Sequence, residues 1–180
     1  MENRNLNFHQ TFKPEQIHLS ALLSIADDTE WSSLQAISEA TGIPTGKSSG
    51  KVEPHLYYAR FMGLLDWRRK NNVFHLSLTN IGHVVKHEDP GFSEKLTLLL
   101  CHCMLIRRSA GASLWSFIFN ILMPKYQNYI ELKYLNAELE KNYTKKVKIA
   151  PFLGSYSGLF KPLDLLKQDK NQISISPLKY

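Results

Sequence analysis

Nine polar side chains in one stretch of the chain have the types and spacing needed to bind nucleic acid. Lys51, His55 and Tyr58 recur at helical spacing, so a helix would place them on one face. Long polar side chains on a helix in the major groove can read base edges, and basic side chains beside it meet phosphates. The other six lie at the start of this helix or on the following hairpin: Lys47, Ser48, Ser49, Arg68, Arg69 and Lys70. The nine residues form the predicted duplex-DNA interface.

The distribution of charge favours the same partner. Residues 1–46 have a net charge of −4, residues 47–87 of +5 and residues 88–180 of +5, within a total of +6. The positive charge therefore begins where the predicted DNA-contacting helix begins. Such a field favours a polyanionic partner, although a modest basic excess is also common on ordinary surfaces.

The elements around these residues follow the order of a winged helix-turn-helix. Apolar periodicity predicts helices at 13–26, 32–40 and 49–63, and alternation predicts strands at 64–69 and 73–78. In the third helix, Val52, Leu56, Ala59 and Met62 would form the buried stripe opposite the DNA face. A short helix at 80–87 would end this domain, which we place at residues 1–88.

Beyond the Asp89-Pro90 pair the sequence predicts a helical bundle segment, residues 89–143. Helices at 93–108 and 112–123 are apolar nearly all round and should be buried, and 125–143 is amphipathic. Residues 160–176 echo residues 61–77, which favours a second winged-helix-like unit at 144–180, although Gly154, Gly158 and Pro162 disfavour the helix it requires. The predicted fold class is therefore mainly α, a winged helix-turn-helix plus a helical bundle.

The sequence predicts no catalytic residue, metal site or cofactor, and hence no enzyme. The run Gly42–Ser48 is one residue short of a phosphate-binding loop. Cys101, His102 and Cys103 would point in different directions on a helix, and His83 with His87 lacks further ligands. We find no export signal and no apolar run of the roughly 18 residues that a membrane-spanning helix needs, so the expected location is the cytoplasm.

Three short motifs resemble an uncharacterised bacterial family, the domain of unknown function numbered four thousand and seven. They are Phe8-His9-Gln10-Thr11-Phe12, Leu98-Leu99-Leu100-Cys101-His102 and Trp115-x-x-x-Phe119-Asn120. The family pattern has a Gly directly before its first His, whereas this chain has Phe8 before His9. This chain also has Cys101 between the Leu-Leu pair and His102. The resemblance implies a companion of sulfur-transfer enzymes in DNA-modification or phage-defence loci. It implies no catalytic residues; His9 is interpreted as a buried, hydrogen-bonded anchor.

These observations together predict a non-enzymatic DNA-binding protein. It would be a regulator or targeting subunit of a bacterial DNA-modification or phage-defence locus. The alternative is a protein-interaction adaptor, in which the same module docks a partner subunit of that locus. High salt discriminates the two, because phosphate contacts weaken with salt and apolar docking does not.

Overall fold

The computed structural model describes residues 6–46 and 50–176 of the chain. The helices are α1 (Gln16–Ile25), α2 (Leu34–Thr41), α3 (Val52–Phe61), α4 (Asn80–Glu88), α5 (Lys95–Leu105), α6 (Ser113–Phe117), α7 (Met123–Lys125), α8 (Leu132–Asn142) and α9 (Ala150–Ser157). A π-helical turn (Ile118–Leu122) joins α6 to α7, and a 3₁₀ turn (Lys161–Leu163) follows α9. The strands are β1 (Thr29–Trp31), β2 (Leu65–Lys70), β3 (Val73–Leu78), β4 (Tyr129–Glu131), β5 (Leu166–Asp169) and β6 (Gln172–Ile175).

These strands form two three-stranded antiparallel sheets with matching strand order. The first sheet has the order β1-β3-β2, with Leu76 opposite both Thr29 and Trp67. The second has the order β4-β6-β5, with Ile173 opposite both Ile130 and Gln168. In each sheet the last strand along the chain is therefore the central one.

The order strand-helix-helix-strand-strand occurs twice. We call residues 29–78 the first unit, with β1, α2, α3, β2 and β3. We call residues 129–175 the second unit, with β4, α8, α9, β5 and β6. The sequence echo between residues 61–77 and 160–176 thus marks the two hairpins and the residues before them.

One hydrophobic core joins the two units. Trp115 of α6 is fully buried. Its ring lies 5.9 Å from the ring of Tyr58 in the first unit and 5.5 Å from that of Phe152 in the second. The N-terminal segment adds Phe8, whose ring lies 5.7 Å from that of Trp115. Large aromatic side chains of this kind dominate core energetics, so the units should depend on each other for stability.

The prediction of a mainly α, winged-helix fold is wrong. The protein is an α/β protein with two three-stranded antiparallel sheets, and the described residues are 49% helix and 15% strand. Two short strands explain much of the error: β1 lies in a segment interpreted as a link, and β4 lies in the predicted helix 125–143. A strand of three residues has no usable periodicity, and each pairs with a strand far along the chain. The C-terminal hairpin likewise belongs to a sheet that β4 completes, and not to a separate winged unit.

Within the described residues, no helix is both long enough and apolar enough to cross a membrane.

Candidate functional site

The face of α3 that was expected to contact DNA is turned into the protein. His55 and Tyr58 have no exposed surface, and Lys51 is half-buried. The opposite stripe, represented by Leu56, is fully buried as well, whereas Glu53, Tyr57 and Arg60 of α3 are partly exposed. The structure therefore does not display these side chains to solvent as the predicted DNA interface requires, since His55 and Tyr58 are enclosed and Lys51 is only partly exposed.

The segment that leads into α1 covers this face of α3. The Tyr58 hydroxyl donates to the Phe12 carbonyl at 3.0 Å, and the Glu15 backbone N–H donates to His55 Nε2 at 3.1 Å. The Lys51 ammonium donates to Glu15 Oε1 at 2.7 Å. Each of these three side chains, which were predicted to face DNA, thus has a hydrogen-bond partner inside the protein. Helical spacing placed the three residues correctly on one face but did not show what packs against that face.

The hairpin residues of the predicted interface are exposed. Arg68, Arg69 and Lys70 end β2, next to a turn in which Asn71 and Asn72 both have positive φ, as a type I′ hairpin turn requires. Arg68 and Lys70 line a shallow cavity of about 460 Å³. Arg69 donates to Asn72 Oδ1 at 2.6 Å and lies over the Phe74 ring at 5.2 Å. The hairpin is therefore an exposed basic surface, although α3 does not contribute to it. Lys47, Ser48 and Ser49 lie outside the described residues.

An apolar groove runs along the start of α1. Its volume is about 610 Å³. We call it the α1 groove; its apolar lining includes Ile17, Phe92, Leu98, Leu159 and Pro162. Ile17 is 72% exposed, although it belongs to the apolar repeat at positions 17, 21, 22 and 25 that predicts helix α1. The groove is not evident from the sequence, because Ile17 fits the apolar repeat of its own helix and yet stays exposed in the fold.

The three motifs of the family resemblance meet in the core. His9 is buried against Trp115, with ring centroids 5.6 Å apart. His102 packs on Phe119 at 4.8 Å and is hydrogen-bonded to the Tyr156 hydroxyl at 3.1 Å. Desolvation by burial lowers the pKa of His9 and of His102 to about 4. Both imidazoles are therefore neutral at pH 7, and their positions support the interpretation of His9 as a structural anchor.

The three side chains of the Cys101-His102-Cys103 run do not point toward one common metal position. Cys101 is buried and Cys103 is exposed on the other side of α5. Burial raises the pKa of the Cys101 thiol to about 12, so this sulfur stays protonated. His83 and His87 are exposed on α4.

Glu15, His18 and His55 bring three metal-binding side chains together between α1 and α3. One ligand atom from each lies within 4.8 Å of the others. The rings of His18 and His55 are edge to face at 4.7 Å, and His18 Nδ1 lies 3.8 Å from Glu15 Oε1. This group is not evident from the sequence, since His55 lies far along the chain from the Glu15–His18 pair and was predicted to be a DNA-binding residue.

Comparison with known proteins identifies a similar fold but no family. No family model matches the chain, and neither does any curated protein. A crystal structure of SspB has a TM-score of 0.72 and 16% sequence identity, and a magnesium ion-bound SspB structure has a TM-score of 0.71 and 16% identity. Both alignments cover 97% of this chain but 60% of SspB, so the chain spans less than two thirds of the SspB length. The likeness shows the fold alone.

The donors available here do not suit the magnesium ion of the second SspB structure. Magnesium prefers oxygen ligands in octahedral geometry. The cluster formed by Glu15, His18 and His55 offers two imidazole nitrogens and one carboxylate. We therefore assign no magnesium chemistry to this cluster.

Proposed function

We propose that this chain is a non-enzymatic adaptor that docks a partner protein in the α1 groove. The bound element would be an amphipathic segment with apolar side chains and at least one carboxylate. The observation that carries this proposal is the exposure of Ile17, at 72%, beside the apolar lining of the groove. Grooves with an apolar floor accept the apolar face of a helix or extended segment.

The internal packing of α3 favours docking of a partner protein over recognition of DNA bases. His55 and Tyr58 are fully buried, and Lys51 is paired with Glu15. Base recognition would require these side chains to leave their internal partners and the segment 12–15 to move away. The edge of the groove needs no such rearrangement, since Ile17 and Lys13 already face solvent, while Phe92 lies buried beneath them.

The charge at the groove selects an acidic partner. Lys13 lines the groove, and its ammonium has no ion pair within the described residues. The carboxylate of Glu15, which also lines the groove, is already paired with Lys51. The available charge is therefore positive, and opposite charges across an interface fix orientation and speed association.

Co-expression with the proteins of neighbouring genes tests this proposal, because the family resemblance implies a partner from the same locus. We expect a stable complex that survives about 1 M NaCl, where exposed charges are screened. Ile17→Glu should abolish it and Lys13→Glu should weaken it. Tyr134→Glu is the matched control, because Tyr134 is 49% exposed on α8 in the second unit. No complex with any neighbour, or a complex insensitive to Ile17→Glu, would overturn the proposal.

The basic hairpin supports a second candidate function, binding to the phosphate backbone of duplex DNA. Arg68, Arg69 and Lys70 are all exposed, and basic side chains that pair with phosphates give salt-dependent binding without sequence preference. Changing all three to Glu should reduce the salt slope of duplex binding by about 0.9 for each phosphate that is no longer neutralised. The control is Lys167→Glu with Lys170→Glu on the hairpin of the second unit. Equal slopes in the two variants would contradict this function.

A further inference from the structure

We propose that Glu15, His18 and His55 form a zinc-binding site between α1 and α3. The donors come from two elements that the fold already holds together, and one ligand atom of each lies within 4.8 Å of the others. Two imidazoles and a carboxylate are a common donor set for zinc. The site adjoins the α1 groove through Glu15, whereas the proposed docking function is tested at Ile17 and Lys13.

The hydrogen bonds of His55 prepare it to bind a metal. Its Nδ1 lies 2.7 Å from the Lys51 carbonyl oxygen, which can only accept, so Nδ1 carries the proton. The lone pair of Nε2 is then directed at the backbone N–H of Glu15, 3.1 Å away. Histidine ligands of metals usually donate their second N–H to a carbonyl or carboxylate in this way. A zinc ion would take over the Nε2 lone pair from the Glu15 N–H.

His18 supplies a donor atom without any other use in the described structure. Its Nδ1 is buried and has no hydrogen-bond partner, although it lies 3.8 Å from Glu15 Oε1. Leaving a buried polar atom unpaired is costly. Burial also lowers the pKa of His18 below its usual value, so the ring is neutral at pH 7 as a metal ligand must be. A metal ion beside Glu15 would satisfy this nitrogen.

The Lys51 ammonium is the positive charge paired with Glu15 in this structure. Its ammonium lies 2.7 Å from Glu15 Oε1 and lowers the pKa of that carboxyl, although burial alone would raise it. Zinc and the Lys51 ammonium would compete for the same carboxylate. This competition makes a distinctive prediction: removal of the ammonium should strengthen zinc binding, whereas a purely structural ion pair would give no such gain.

Isothermal titration of the full chain with ZnCl₂ tests the site, with Co²⁺ absorption as a spectroscopic readout of the ligands. We expect one ion per chain with micromolar affinity, and Co²⁺ bands typical of nitrogen and oxygen ligands. His18→Ala and Glu15→Gln should weaken binding at least about tenfold, and Lys51→Met should tighten it about tenfold. His83→Ala is the control, because His83 is exposed on α4 and outside the cluster.

Circular dichroism of each variant separates loss of the site from loss of the fold. His18→Gln is the second variant if His18→Ala does not fold, because it keeps the volume but not the ring nitrogen. The absence of stoichiometric zinc binding would overturn the proposal. Binding that His18→Ala and His18→Gln leave unchanged, or that Lys51→Met weakens, would overturn it as well.

Discussion

The first and second units share a strand order but connect their helices to their hairpins differently. In the first unit, α3 ends at Phe61, Gly63 takes the left-handed conformation with φ 71°, and β2 begins two residues later. In the second unit, α9 is followed by a 3₁₀ turn that contains Pro162, and Asp164 takes the left-handed conformation with φ 50°. The same strand order is thus reached through two different connections between helix and hairpin. The stretch of similar sequence in the two units is correspondingly short.

The units also differ in the chemistry they carry. All seven histidines lie at or before residue 102, so the second unit has none. Strand β2 ends in Arg68-Arg69-Lys70, whereas in the second hairpin Gln168 and Asp169 separate Lys167 from Lys170. The α1 groove draws on both sides of the molecule, with Ile17 from α1 and Leu159 from the second unit. The imidazole groups are therefore confined to the chain up to residue 102, whereas basic side chains occur in both units.

The largest expected effect concerns the core that the two units share. Phe152 in α9 is fully buried, with its ring 5.5 Å from that of Trp115 and 5.3 Å from that of Tyr156. Phe152→Ala should lower the free energy of unfolding by about 3–5 kcal/mol, as expected for a large core aromatic. Urea denaturation followed by circular dichroism and by tryptophan fluorescence would measure it, with coincident transitions in both signals.

Tyr134→Ala is the control for this prediction. Tyr134 lies on α8 of the same unit but is 49% exposed, so its removal should change stability by about 0.5 kcal/mol or less. Two separate transitions in Phe152→Ala, with the fluorescence transition unchanged, would show that the first unit folds without the second. The units would then be independent domains and the shared-core interpretation would be wrong.

The next effect is a loss of stability in acid, which the histidine distribution assigns to the N-terminal side. Desolvation lowers the pKa of His102 from 6.5 to about 4 in the folded protein. The unfolded chain therefore binds a proton at higher pH than the folded one. The stability due to the neutral imidazole is present above about pH 6.5 and is lost as the pH falls toward 4, at a cost of up to about 3 kcal/mol.

His102→Gln should flatten this pH dependence. Urea denaturation at intervals between pH 7 and pH 4 would measure the slope for each variant. His87→Gln is the control, because His87 is exposed on α4. A slope that His102→Gln leaves unchanged would mean that other groups, such as the equally shifted His9, carry the acid sensitivity.

Local patterns in the sequence predicted the first unit well and the second poorly. Strands at 64–69 and 73–78 match β2 and β3 within a residue, because alternation and the Asn71-Asn72 turn are local signals. The predicted helix 125–143 instead contains α7, β4 and α8. Its Tyr129–Glu131 segment becomes a strand only because β6 lies beside it, and no pattern within the segment shows this.

The candidate sites depended even more on long-range packing. Spacing correctly grouped Lys51, His55 and Tyr58 on one face of α3, but both faces of α3 meet other parts of the chain. Nothing near His55 in sequence indicates that Glu15 will bond to it. Ile17 shows the opposite outcome. It is an apolar residue that fits the helical repeat of α1, but it is exposed in the fold. Periodicity shows which residues share a face, and tertiary structure decides whether that face is buried.

The smallest expected effect tests the two helix-to-hairpin connections. Gly63→Ala should lower the free energy of unfolding by about 1–2 kcal/mol, because an L side chain is strained at φ 71° and its Cβ would lie 2.6 Å from the end of the flexible Met104 side chain. Asp164→Gly should raise stability by about 0.5 kcal/mol, since glycine relieves the left-handed strain but increases the entropy of the unfolded chain. Urea denaturation of both variants measures the difference.

Lys167→Ala serves as the control for the exposed Asp164–Lys167 ion pair, 3.4 Å in length, which Asp164→Gly also removes. Changes of the same sign at both positions would mean that the two connections are equivalent in energy, and the difference between the units would then lie in their packing alone.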